Sequence, residues 1–466
     1  MPSSVPETDT HHQLQRLRQF RHAVHQCLTK WPDTLFETLD ALLTRPDRPE
    51  SLVHLSLEPV SRRGHGSLYA ALTHGTIDTH ALAGVLAATI DPDHGLAFAV
   101  DCSHHPRPDA VTSPERTLNH DAAKDDPGTA GAPVTAGWCY SVIAETGTTN
   151  SSWATPLHAQ RVGPTDNHNR VALAQIRALL TRLTATGRPL PRVPIVSLDG
   201  GYSAAHLGQQ LAGTPVQVLV RIRGNAVMFA DPPPRTPGTT GRPRIHGDRM
   251  KLSDPATWAQ PDQVTLVPEK RKGRRTLPAL SVAAWHDLHP RHSEVLHEEG
   301  NDPHRNTARQ ITRGTVVLIR SANPKQKPIW LFWSGPEGSF DLDRVWRAYL
   351  RRFDIEHLFR FLKQYLCWTL PRLRTPQQAT RWTWLVLAAY AHLVLARGTV
   401  ADTRLPWERA GLGSPLRVKR AFHRLRPDLG TPARPPKPSK AGPGRPKGST
   451  STPAPRHTRL RKTTKA

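Results

Sequence analysis

The sequence predicts an α/β protein: a mixed sheet covered by helices, carrying a β-rich insertion, with a helical N-terminal unit before it and a disordered basic tail after it. Three observations predict this. The hydrophobic spacing changes from helical to strand-like near residue 89, and three strand-like runs are then followed by alternating helix and strand patterns. A Pro- and Gly-rich stretch with further strand runs then separates this block from two late helices.

Residues 1–88 form the N-terminal unit. HHQLQRLRQFRHAVHQCL, WPDTLFETLDALL, SLYAALTHG and THALAGVLAATI place apolar residues at helical spacing. The unit is basic, and DNA binding, dimerisation and a scaffold role all fit it. Residues 89–224 hold the first part of the sheet: GLAFAV before Asp101, GWCYSVIAE and SWATPLHAQRV read as strands, and RVALAQIRALLTRL as an amphipathic helix. The apolar strand VPIVSL ends at Asp199, and helix AAHLGQQL and strand VQVLVRI follow. Three strands and then alternation indicate a mixed sheet. In the insertion, 225–338, QVTLV, LPALSVAAW, TVVLIRS and KPIWLFWSG are strand candidates. Residues 339–400 supply one helix over about 341–366 and another over about 376–397, and 401–430 form a basic helical segment. The tail, 431–466, has ten Lys and Arg, no Asp or Glu, and much Pro, Ser and Thr, a composition that cannot bury a core.

With 63 Lys and Arg against 38 Asp and Glu, the formal charge of +25 calls for a polyanionic partner. A membrane surface is the rival, but no apolar run approaches the roughly 18 residues that span a bilayer. The N-terminal residues lack an apolar signal region, which points to the cytoplasm. Cys27, Cys102, Cys139 and Cys367 are scattered without a CxxC pair and read as reduced thiols. His286, His289 and His292 recur three apart but lack Cys or carboxylate partners nearby. Phosphate-cradling glycine motifs are missing between strand and helix, so no nucleotide cofactor is expected.

Three acids stand out in this cationic chain. Asp101 and Asp199 each follow an apolar strand, where side chains face the crevice at a sheet rim. Glu356 sits in YLRRFDIEHLFRFLK, residues 349–363, and at roughly 100° per residue Tyr349, Arg352, Glu356 and Lys363 fall within an arc of about 60°. Each acid also has a plain reading. Asp after a strand is a common turn former or helix cap, Asp91, Asp93 and Asp109 rival Asp101, and Arg352 with Glu356 makes an ordinary helical ion pair. If a helix brings Glu356 beside the two Asp residues, three carboxylates need a cation among them. Hard oxygen ligands suit Mg²⁺ or Mn²⁺, and a pair of such ions about 3.5–4 Å apart serves phosphodiester chemistry.

Asp199-Gly200-Gly201-Tyr202, together with Tyr349-x2-Arg352-x3-Glu356-x6-Lys363, resembles the boxes of DDE-type insertion-sequence transposases of the branch with the tyrosine–arginine–glutamate–lysine signature. The resemblance implies a ribonuclease H-like core whose triad Asp101, Asp199 and Glu356 is catalytic and holds two Mg²⁺ or Mn²⁺ ions. It also implies contacts from Tyr349, Arg352 and Lys363 to transposon-end DNA, a homodimer on double-stranded end and target DNA, and a β-rich insertion between the second and third acids. Relatives that cut through a DNA hairpin stack a Trp on a flipped base, for which Trp330 and Trp333 are the candidates. GPGRPKGS resembles an AT-hook, with Arg445 entering a narrow minor groove; a solvated basic linker fits it equally, as it does TGRPRIHG. The function implied is DNA transposition. Its rivals are a transposase-derived DNA-binding protein that no longer cuts, and a metal-dependent nuclease that cuts without joining.

Overall fold

The computed structural model describes residues 7–457 apart from 91–94, 109, 121–133, 148–152, 186, 188, 236, 239, 273–274, 292–310, 401–412, 439–443, 445, 451 and 454. The chain opens with α1 (Glu7–Gln26), β1 (Leu28–Lys30), α2 (Pro32–Thr44), α3 (Leu52–Ser56), α4 (His65–His74), β2 (Thr76–Ile77) and α5 (Thr79–Ala87). Local chemistry sets several of these helix starts: Pro32 opens α2, Ser51 caps α3 and Asp78 caps α5.

Next come β3 (Ala97–Pro106), β4 (Thr117–His120), β5 (Val134–Thr146), β6 (Ala154–Val162), α6 (His168–Thr184), β7 (Ile195–Leu198), α7 (Ala204–Gln210) and β8 (Gln217–Ile222). β3, β7 and β8 run parallel, while β5 is antiparallel to both β3 and β6. The resulting order, β6-β5-β3-β7-β8, is the expected ribonuclease H-like arrangement. Side chains alternate between the two faces. Phe98 and Val100 pack with α6 and α7, whereas Ala97 and Ala99 face the opposite layer.

The insertion holds β9 (Val227–Phe229), β10 (Arg249–Lys251), β11 (Gln263–Val267), β12 (Lys270–Lys272), β13 (Arg275–Leu277), β14 (Leu280–Pro290), β15 (Gly314–Ser321) and β16 (Ile329–Ser334). It does not stand apart from the core. β16 pairs with β8, so β9, β10, β11, β14, β15 and β16 of the insertion, with β4 beside β5, extend the central sheet to twelve strands among the described residues. Pairing satisfies what would otherwise be an open edge at β8.

Among the described residues four helices follow: α8 (Leu342–Arg351), α9 (Asp354–Gln364), α10 (Pro376–Ala396) and α11 (Pro415–Leu429). The single helix expected over 341–366 is in fact two, broken at Arg352 and Phe353 without any Gly or Pro to signal it. The cause is tertiary. Val345, Trp346 and Tyr349 pack on the β7–β8–β15 side of the sheet, while Ile355, Leu358 and Leu362 join a different cluster with Trp138, Tyr140 and α10. One straight helix cannot serve both.

α10 is apolar on nearly every side, and that is why it lies buried at the centre of the helical layer. Thr375 and Gln378 form a capping box at its start, with Pro376 in the first turn. α1, α2 and α11 pack around it, so the N-terminal helices share a core with the C-terminal helices. Buried charge fixes the junction. Arg21 Nη1 lies 2.8 Å from Asp40 Oδ1, and Arg426 Nε donates to Asp40 Oδ2 at 3.1 Å. The chain stays tied past the expected start of the tail: Ala433 is buried, Arg62 donates to its carbonyl, and the Arg434 N–H donates to Asp33.

Candidate active site

Alternation along β3 decides where Asp101 points. It shares the face of Ala97 and Ala99, which α8 and α9 cover. The expected position past a strand end is corrected: β3 continues to Pro106 because β5 still pairs with it, Asp101 opposite Val142. What ends there is the parallel partner, since β7 stops at Leu198 opposite Val100. Asp199 is the next residue, so the two acids stand side by side where neighbouring parallel strands part.

Glu356 reaches the pair through a shared cation. Arg352 donates from Nη1 to Asp101 Oδ2 at 2.9 Å and from Nη2 to Glu356 Oε1 at 2.8 Å. Asp101 Oδ1 accepts the Cys102 N–H at 2.7 Å, and Asp199 Oδ1 accepts the Gly201 N–H at 3.0 Å. The plain Arg352–Glu356 ion pair and the acid cluster are therefore one arrangement. The guanidinium fork suits two carboxylates at once, which an ammonium would not match.

Burial pushes the Asp101 carboxyl up to about 7, against the pull of Arg352 and with the help of the Asp199 charge. An unfolded Asp titrates near 3.9. Between that value and about 7 the folded chain holds a proton that the unfolded chain lacks, so stability falls as pH rises through this window. Asp101→Asn carries no such proton. In the absence of divalent ions, the stability of Asp101→Asn relative to wild type should rise with pH across the window and then level off, as read from urea midpoints. A difference independent of pH would mean that Asp101 titrates like an ordinary surface acid.

The remaining signature residues lie around this cluster. Tyr349 is buried on α8, with Arg352 Cζ 5.9 Å from its ring centre, and burial raises its phenol above the usual value. Lys363 is half-buried on α9, its Nζ 6.0 Å from the Trp368 ring centre. Trp330 and Trp333, the base-stacking candidates, lie buried in β16. Trp330 packs against Trp258 and Trp285, and Trp333 Nε1 donates to Gln217. Arg445 lies outside the described residues, as do Asp91, Asp93, Asp109 and His292. His286 bonds Thr315, and the buried His289 bonds the Pro290 carbonyl.

One group has no mark in the local sequence. Cys102 and Cys139, expected to be scattered, meet across β3 and β5 on the opposite face from Asp101, and His168 at the start of α6 joins them. The only signal for this is cross-strand register, which no local spacing reveals.

A family described as DDE superfamily endonuclease matches residues 23–290, a span that includes Asp101 and Asp199 and stops before Glu356. No curated protein matches the sequence. Among solved structures, piggyBac transposase in its cryo-EM synaptic complex with hairpin DNA is 10% identical, with 84% of this chain and 69% of that chain covered and a TM-score of 0.40. A likeness that distant carries no argument about the site.

Proposed function

Since the chain belongs to the DDE superfamily endonucleases, we propose that it is a transposase of the tyrosine–arginine–glutamate–lysine branch, which binds the ends of its element and cuts and joins DNA in the cytoplasm. The observation that carries this reading is the Arg352 fork joining Asp101, within β3, to Glu356 on α9, with Asp199 next to Asp101 where β7 ends. The net charge of +25 supports DNA as the partner, and the proposal places two copies of the chain on paired ends. Among the described residues no helix is long and apolar enough to cross a membrane.

The donor set fits a divalent cation. Asp101 and Glu356 share the Arg352 fork and Asp199 adjoins Asp101, and burial with the adjacent Asp199 charge raises the Asp101 carboxyl to about 7, a crowding that a cation would relieve. Bound Mg²⁺ or Mn²⁺ supplies Lewis-acid stabilisation of the phosphodiester oxygens and eases deprotonation of water or a 3′-hydroxyl. Asp101, Asp199 and Glu356 hold it, and Arg352 keeps Asp101 and Glu356 in register. Lys363 binds the scissile strand through phosphate, and Tyr349 supports Arg352 from beneath.

The test uses the full chain with DNA carrying the sequences that flank its gene. Metal-dependent nicking at the element ends, followed by joining of the freed 3′ ends to a target duplex, is expected. Binding without cleavage would return the chain to a DNA-binding derivative, and cleavage without joining to a nuclease.

A second test concerns the tail, which contributes to DNA affinity in this proposal. Because 431–434 are tied to the helical unit, the deletion to make is 439–466. The slope of log K against log salt should become shallower by about 0.9 for every phosphate that the shortened chain no longer neutralises. Cleavage of pre-bound ends should persist. An unchanged slope would show that the tail, Arg445 included, does not touch DNA.

A further inference from the structure

We propose that Cys102, Cys139 and His168 form a site for one thiophilic divalent cation of the zinc type, distinct from the carboxylate cluster. Their donor atoms all lie within 4.8 Å of one another, with Cys102 Sγ 3.3 Å from His168 Nδ1. Sulfur and nitrogen ligands around a tetrahedral zinc ion, at about 2.3 Å and 2.0–2.1 Å from it, stand roughly 3.5–3.8 Å apart. Small side-chain adjustments separate the present arrangement from that geometry.

The site is set by the fold. Cys102 pairs with Ser141, and Cys139, two residues before Ser141, therefore shares its face on the diagonal. Asn167 caps α6 by accepting the N–H groups of Asn169 and Arg170, which fixes the first turn that carries His168. Val162 and Val171 pack around Cys139. His168 is exposed and Cys102 half-buried, and the buried Tyr202 hydroxyl lies 3.5 Å from Cys102 Sγ.

A disulfide is the obvious alternative use of two adjacent thiols, and the register disfavours it. Diagonal neighbours on paired strands have Cα atoms about 7–8 Å apart. That exceeds the roughly 4.4–6.8 Å of usual disulfides. Ligand chemistry separates the two sites as well: two thiolates and an imidazole select zinc-like ions, whereas the acids on the opposite face of the sheet select hard ones. An ion here ties β3, β5 and α6 together one residue from Asp101.

The full-length protein, purified under reducing conditions and stripped with chelator, would be titrated with Co²⁺ in excess Mg²⁺ and then with Zn²⁺. One equivalent of Co²⁺ should produce sulfur-to-cobalt charge-transfer absorption, and one equivalent of Zn²⁺ should displace it. Cys139→Ser should abolish the band, and His168→Ala, at an exposed position with little risk to folding, should weaken binding at least tenfold. Asp199→Asn should leave it unchanged. The proposal is overturned if wild type gives no such band, if the band persists in Cys139→Ser, or if it disappears in Asp199→Asn. Should Cys139→Ser not fold, an unchanged affinity in His168→Ala overturns it alone.

Discussion

Glu356→Gln, Asp199→Asn and Asp101→Asn, made singly, should each reduce metal-dependent cleavage of end DNA below detection while leaving end binding largely intact. Each replacement removes a hard anionic oxygen from the proposed metal site and leaves the phosphate-binding cations in place. The loss should exceed the roughly 10–100-fold that follows removal of a metal ligand's outer hydrogen-bond partner. Binding and cleavage should be measured on the same DNA, binding in Ca²⁺ and cleavage in Mg²⁺. A Glu356→Gln enzyme that nicks at nearly the wild-type rate would sink the assignment of that acid, and the same holds for the other two. Asp101 carries an added signature in the pH-dependent stability of its Asn variant, because it is the acid that burial holds near neutrality.

Arg352→Ala is expected to act on both cleavage and stability. The side chain is 12% exposed and is the described link between Asp101 and Glu356. Its loss should slow cleavage by about 10²-fold or more, since mispositioning alone can cost that much. It should also cost about 1–3 kcal/mol of stability, the usual range when a buried hydrogen-bonded group loses its partner; Asp101 limits the cost by taking up a proton. Arg352→Lys should not restore activity, because an ammonium cannot span two carboxylates as the fork does. Lys363→Ala should slow cleavage with a smaller effect on stability. The exposed Arg360, on the same helix but outside the signature, is the control, and its Ala variant should weaken DNA binding only slightly. Equal and small effects at all three positions would leave Arg352 and Glu356 as an ordinary ion pair.

By itself the sequence determined the element types and their order through most of the sheet. Strands QVTLV and IVSL and the helix beginning at Pro376 are bounded by Pro, Gly and capping residues whose effects are local, and period-2 or period-3.6 spacing is a property of the segment alone. Signature spacing likewise marked Glu356 and Arg352 as partners; the pair forms at 2.8 Å although Arg352 lies in the break between α8 and α9. Tertiary structure decided the rest. The break at Arg352 and Phe353 follows from two apolar faces seeking two different cores, a conflict no single helix window contains. Asp101 is singled out by where β7 stops alongside β3, and Trp330 and Trp333 are claimed by packing on a sheet that the insertion extends. Cys102, Cys139 and His168 meet only through strand register and the docking of α6. Such contacts join residues far apart in the chain, and their geometry is set by which strands pair and which helix faces are buried together, information that no local stretch of sequence carries.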